Sequence, residues 1–223
     1  MKPRIKAITK TGIFFILLFL WSSIPLIFFD LNKLDITGRV IYSLVCDITF
    51  LIIIIIAYRK TLIKDFKDFF SDFLNNIEIS FKYWFAGFCV MIVSNLIITV
   101  IMQGGMATNE EQVRTLIGIA PLYMFFDVAI YAPFTEELIF RKGFRDIFKN
   151  KWAFIIASGL TFGTLHVLSS LTSASALLYL IPYCSLGIAF AYSYYKTNNI
   201  FSTISMHMLH NSLAIILYFI GGV

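Results

Sequence analysis

Charge is what this sequence has least of. Only 14% of its 223 residues are charged, against about 25% in soluble domains. Hydrophobic residues make up 59% and the mean hydropathy is +0.82, which excludes an ordinary soluble domain. Linkers, low-complexity tracts and internal repeats are also missing, so residues 1–223 read as one integral membrane domain. Cysteine is scarce as well. Cys46, Cys89 and Cys184 are odd in number, sit in apolar runs and match no metal spacing, which excludes a disulfide framework and predicts buried small apolar residues. The net charge of +5 raises nucleic acid as a partner. The positive residues track the breaks between apolar runs, however, so no nucleic acid is expected.

What is present is a series of long apolar runs. Each is near the ~20 residues that a helix needs to cross a bilayer. The fold class expected is therefore all-α: a polytopic membrane helix bundle of about seven transmembrane helices plus a surface amphipathic helix. The spans are read as Ile13 to Phe29, Ile41 to Tyr58, Tyr83 to Met102, Ile119 to Phe140, Trp152 to Leu168, Ala176 to Tyr195 and Ile200 to Ile220. The first run is too long for a signal peptide and no small-residue cleavage site follows it. It reads as an uncleaved helix bent at Pro25. From Thr61 to Lys82 the apolar residues Leu62, Phe66, Phe69, Phe70, Phe73 and Ile77 recur at helical spacing among charges. This predicts the amphipathic helix on the membrane surface. Thr108 and Glu111 predict a capping box for a short helix before the fourth span. The lone acid of the second span, Asp47, is expected to be hydrogen-bonded and structural.

With seven spans, fifteen of the 18 Lys and Arg fall on one side of the membrane. Positive residues accumulate in cytoplasmic loops. The N-terminus is therefore expected in the cytoplasm and the C-terminus outside, and the absence of any eukaryotic targeting signal suggests a bacterial cytoplasmic membrane.

The fourth span ends in Thr135-Glu136-Glu137-Leu138-Ile139-Phe140-Arg141, and charges at membrane depth are read by default as functional. Helical residues four apart share a face, whereas adjacent ones diverge by about 100°. Glu137 and Arg141 are thus predicted to pair, leaving Glu136 for another task. Pro133 lacks an N–H and its ring clashes with the Ala129 carbonyl, so a kink is expected just before the acids. Phe162 and His166 repeat the four-residue spacing on the fifth span, as do His207 and Asn211 on the seventh; His210 points elsewhere. A carboxylate can take a proton from water, and a histidine can hold that water or protonate a leaving amine. A second histidine and an amide can stabilise an oxyanion. These are the parts for hydrolysing a peptide bond. The chain has no Gly-x-Ser-x-Gly elbow and no His-Glu-x-x-His pattern. His166 lies deeper below Trp152 than Glu136 lies below Arg141. The depths agree only if the fourth helix continues past Arg141 towards Lys149, burying Arg141 with Glu137 as its counter-ion.

Glu136-Glu137-x-x-x-Arg141, Phe162-x-x-x-His166 and His207-x-x-x-Asn211, in this order, resemble the CAAX protease and bacteriocin-processing family, CPBP or Abi. The likeness covers residues ~119–211. It implies an intramembrane endopeptidase acting on a membrane-associated peptide or protein in the lipid bilayer, in bacteriocin processing or immunity. By the same resemblance Glu136 and His166 activate water, while His207 and Asn211 form the oxyanion hole. Glu137, Arg141 and Phe162 support the site. No cofactor is expected. If a metal binds, Glu136, His166 and His207 are its ligands, since Glu and His are ordinary Zn²⁺ donors. Two other readings stay open on the residues alone: a non-catalytic immunity or regulatory scaffold, and a transporter or proton relay.

Overall fold

The structure is a computed structural model that describes residues 3–28, 30–104, 107–170 and 174–221. Phe29, Gly105 and residues 171–173 of the uncharged loop, all part of the sequence reading, lie outside the described residues. Helices carry the fold: α1 (Pro3–Leu20), α2 (Ile36–Ser71), α3 (Phe73–Ile101) and α4 (Thr108–Ile119) precede α5, residues 121–147, and α6 (Lys151–Val167), α7 (Leu180–Thr197) and α8 (Ile200–Gly221) follow it. Among the described residues there is no strand. This is a polytopic helical bundle, as the apolar runs require. Six helices are long and apolar enough to cross a membrane. The seventh expected span is α5, which is helical throughout but changes its winding twice.

Proline explains the first change. Asp127–Tyr131 is a π-helical stretch just ahead of Pro133, and the Ala132 N–H reaches back five residues to the Asp127 carbonyl. Widening the turn relieves the clash between the proline ring and the preceding turn, which a regular α-helix cannot do. After Ala132–Glu136 a second π-helical stretch, Glu137–Gly143, follows. The proline effect expected as a kink is thus expressed as changed winding on either side of Glu136.

The segment expected as a separate surface helix is not one. Thr61 to Ser71 ends α2, Asp72 turns the chain, and Phe73 to Lys82 begins α3. At 1.5 Å per residue α2 is about 54 Å long, well beyond the ~30 Å hydrocarbon layer. The helical period is present, but it continues across the turn, so periodicity alone hides the break at Asp72. Two smaller expectations also change. α1 ends at Leu20 and single 3₁₀ turns cover Trp21–Ser23 and Pro25–Ile27. The Thr108 capping box does not form: Ala107 is the cap, and the Thr108 N–H donates to Ser170 Oγ at 2.8 Å instead. Cys46 is buried, but Cys89 is exposed and Cys184 half-buried; all three are free thiols.

α6 and α7 approach most closely. A Cβ on Gly163 would lie 2.7 Å from the Cys184 backbone nitrogen, and one on Gly159 would lie 2.8 Å from that of Ile188. Only glycine permits this contact. It holds α6, and with it His166, hard against α7. α8 starts where α7 ends. Asn198 adopts the left-handed conformation (φ 47°) and its N–H caps α7 at the Tyr194 carbonyl. The reversal is fastened to α2, because the Ile200 N–H donates to Asp65 Oδ2 at 3.0 Å and Asn199 Nδ2 to the Asp65 carbonyl at 2.7 Å. α5, α6 and α8 therefore converge, and the three motifs with them.

Candidate active site

The two adjacent glutamates lead different lives. Glu137 and Arg141 are both fully buried, with Arg141 Nε 2.9 Å from Glu137 Oε2. Arg141 Nη1 donates to Ser158 Oγ at 2.8 Å, and Ser158 Oγ donates to the Phe140 carbonyl at 2.8 Å. The guanidinium carbon also lies 4.8 Å from the centre of the Phe162 ring. Burying both charges is tolerable because they pair and most of their polar atoms find partners; among the described residues Arg141 Nη2 alone of the pair has none. α5 continues to Ile147, so Arg141 is internal, as the matching of depths requires.

Glu137 has a second task that local spacing does not show. Its Oε1 lies 3.0 Å from His207 Nδ1. A carboxylate only accepts, so His207 presents Nδ1–H to it. The His207 ring lies on Phe190, with centroids 5.0 Å apart at 25°. The imidazole is thereby fixed, with Nε2 directed at Glu136 Oε2, 3.9 Å away.

His166 is fixed by similar means. Its Nδ1 lies 2.8 Å from the Phe162 carbonyl, one helical turn earlier. A carbonyl also only accepts, so Nδ1 carries a proton, and in the neutral ring Nε2 offers its lone pair. That atom is 4.0 Å from Glu136 Oε1. Phe162 and Tyr183 pack against the imidazole at centroid distances of 4.3 and 5.4 Å. The Glu136 side chain is 16% exposed and that of His166 23%, so this side of the cluster is reachable, whereas Glu137 and Arg141 are sealed.

Glu136, His166 and His207 are thus brought together. Asn211 takes its place differently: its Nδ2 donates to the Val128 carbonyl at 2.7 Å, within the first π-helical stretch. Asp47 is hydrogen-bonded as its burial demands, accepting from the Tyr123 hydroxyl at 2.8 Å. The sequence reading does not single out Ser158 or Asp127. Ser158 looks like any small residue of a membrane helix. Asp127 stands in the apolar run of the fourth span, and its charge at membrane depth was the available signal; it lies within electrostatic reach of Asp47 and Glu136.

Among the described residues no group of three or more His, Cys, Asp or Glu side chains stands at metal-holding spacing. Glu136 lies 4.0 and 3.9 Å from the two histidines. Ligands of a tetrahedral Zn²⁺ with bonds of ~2.0–2.1 Å stand about 3.3–3.4 Å apart. The donors do not fit a zinc ion in this arrangement.

Comparison with known proteins points to a membrane peptidase. The family model for the type II CAAX prenyl endopeptidase Rce1-like proteins matches residues 118–213, which hold all three motifs. YdiL of Bacillus subtilis (strain 168), by name a proposed membrane peptidase, is 28% identical over 198 residues, covering 84% of this chain and 75% of YdiL. The membrane-embedded CAAX protease MroQ of Staphylococcus aureus (strain USA300) is 28% identical over 144 residues, 58% of this chain and 55% of MroQ. The UPF0177 protein YvdC of Lactococcus lactis subsp. lactis (strain IL1403) is 28% identical over 133 residues, 58% of this chain and 48% of YvdC. The chain thus spans about half the length of the last two. No solved structure matches it. Six helices long and apolar enough to cross a membrane, a buried Glu–Arg pair beside a carboxylate flanked by two histidines, and these likenesses support an intramembrane peptidase similar to the Rce1-like members of the CPBP family.

Proposed function

We propose that Glu136 activates the hydrolytic water of this intramembrane peptidase, with His166 as its partner and His207 and Asn211 as the oxyanion site. The observation that carries the reading is the pair of ~4 Å gaps between the Glu136 carboxylate and the free Nε2 atoms of His166 and His207. These gaps are too long for direct hydrogen bonds. A water ~2.8 Å from both partners of either pair bridges it.

In this reading water is held between Glu136 and the Nε2 lone pair of His166. Its oxygen attacks the scissile carbonyl carbon as one proton passes to the Glu136 carboxylate. The tetrahedral oxyanion is placed beside His207 Nε2, the ring being held by Glu137 through Nδ1. The oxyanion takes a hydrogen bond from the Asn211 N–H that Val128 leaves unused. When the C–N bond breaks, Glu136 passes its proton to the leaving nitrogen and is a carboxylate again. The other water proton stays with the new carboxyl group. The substrate class is a membrane-associated peptide or protein, since the site lies among membrane-crossing helices. The distribution of Lys and Arg over the expected spans supports a cytoplasmic N-terminus.

The test is cleavage of a peptide library by the purified protein. His166→Gln should lower turnover by about 10²-fold or more, and a chelator should leave wild-type turnover unchanged while elemental analysis finds no stoichiometric zinc. Loss of activity on chelation, restored by Zn²⁺, contradicts the metal-free reading.

A further inference from the structure

Away from the catalytic cluster, the end of the bundle richest in Lys and Arg holds a cleft of about 490 Å³. It lies between the later turns of α2, the end of α5 with the turn after it, and the end of α7. Five cations line it: Lys60, Lys64, Lys142, Arg145 and Lys149. Two acids, Asp65 and Asp146, do so as well. Both acids are already engaged. Asp146 accepts from Lys142 through both oxygens, at 2.6 and 2.5 Å. Asp65 accepts the Ile200 N–H and lies 3.6 Å from Lys64, and Lys64 also holds Asp68 at 2.7 Å.

Three cations remain without a counter-ion. Lys60 and Lys149 are exposed and have no ion-pair partner among the described residues. Arg145 is oriented but not neutralised. One of its nitrogens, Nη1, donates to the carbonyls of Phe148 and Lys149 at 2.9 and 2.7 Å, and its guanidinium carbon lies 5.3 Å from the Tyr195 ring centre. Its remaining N–H groups form a fixed fork of the kind that suits phosphate oxygens. Three positive charges lining one concave site favour an anion there.

The surroundings say what carries that anion. Lys60 shares a face of α2 with Ile56, one turn before it, and with Ile63, three residues after it. These two side chains are 57% and 58% exposed. A ligand whose phosphate meets Lys60, Arg145 and Lys149 can thus lay an acyl chain along the apolar face of the same helix. We propose that this cleft binds the headgroup phosphate of an anionic phospholipid, docking the peptidase to the leaflet on its positively charged side. A zwitterionic lipid brings its own cation and loses the advantage. The proposal does not rest on the catalytic reading.

The test is native mass spectrometry of the purified full-length protein titrated with phosphatidylglycerol and with phosphatidylcholine. Each cation should contribute about fivefold in preference for phosphatidylglycerol. The triple variant Lys60→Gln/Arg145→Gln/Lys149→Gln should fall to the phosphatidylcholine level. Lys67→Gln/Lys82→Gln, which removes exposed cations outside the cleft, should keep the preference, and inorganic phosphate at equal concentration should not displace the lipid. If the triple variant does not fold, Lys149→Gln alone carries the test with a roughly fivefold drop. The proposal is overturned if the cleft variants keep the wild-type preference, or if the control pair loses as much as the triple. It is also overturned if phosphate or an acidic peptide displaces the lipid one for one.

Discussion

The two halves of this molecule are built from similar amino acids but packed differently. In the windows that best fit a membrane crossing, α1, α2 and α3 are 11%, 17% and 22% buried, whereas α6, α7 and α8 are 44%, 50% and 39% buried. The later helices exclude lipid from one another, and the family likeness falls on them, at residues 118–213. The earlier helices spend most of their surface on whatever surrounds the bundle. Catalytic groups must be held to within fractions of an ångström. Such precision needs neighbours on every side, and only the later half provides them. The earlier half still contributes anchors, such as Asp65 on the α7–α8 reversal and Thr11 against Gly143 of α5.

If this contrast is right, polar substitutions in the later half cost most. Glu137→Gln leaves Arg141 buried without its counter-charge and weakens the hold on His207. It should destabilise the protein by ~3–5 kcal/mol, read as a lower denaturation midpoint and lower folded yield. Adding Arg141→Met should recover part of the loss, and no recovery would mean that Glu137 matters for some reason other than the pair. Next comes Gly163→Ala. Its methyl group meets the Cys184 backbone, which cannot swing away as a side chain can. A loss of ~1–3 kcal/mol is expected, together with reduced turnover, because α6 carries His166. The smallest effect belongs to the early half. Ile52 is 51% exposed and meets lipid, so Ile52→Ala should change stability by no more than about 0.5 kcal/mol. A loss above ~2 kcal/mol there would erase the contrast between the halves.

How much of this was legible in the sequence follows the range of the interactions. Four-residue spacings are local, so the Glu137–Arg141 pair and the Phe162–His166 contact could be read directly. The fold class could be read as well, because uncharged runs of twenty residues have few other destinations. The Glu137–His207 contact joins residues 70 apart, and Ser158 reaches Arg141 from the next helix. No local period reports either. Continuous periodicity also misled: the amphipathic pattern from Thr61 to Lys82 runs unbroken over the Asp72 turn, and so looks like one helix where there are the ends of two. Pro133 announced a disturbance but not its form. Widening the helix into π-turns turns the Val128 carbonyl towards Asn211, a consequence that only the packed bundle reveals.

The central claim is that two neighbouring carboxylates divide the work, Glu136 for chemistry and Glu137 for architecture. The most direct measurement compares Glu136→Gln and Glu137→Gln in one purified preparation, with peptide cleavage and thermal unfolding followed together. Glu136→Gln should show no cleavage above background at a wild-type unfolding temperature, because its carboxylate makes no hydrogen bond that the fold requires. Glu137→Gln should unfold at a lower temperature, and the part that stays folded should retain measurable turnover. Normal turnover by Glu136→Gln, beside a fully folded but inactive Glu137→Gln, would reverse the assignment.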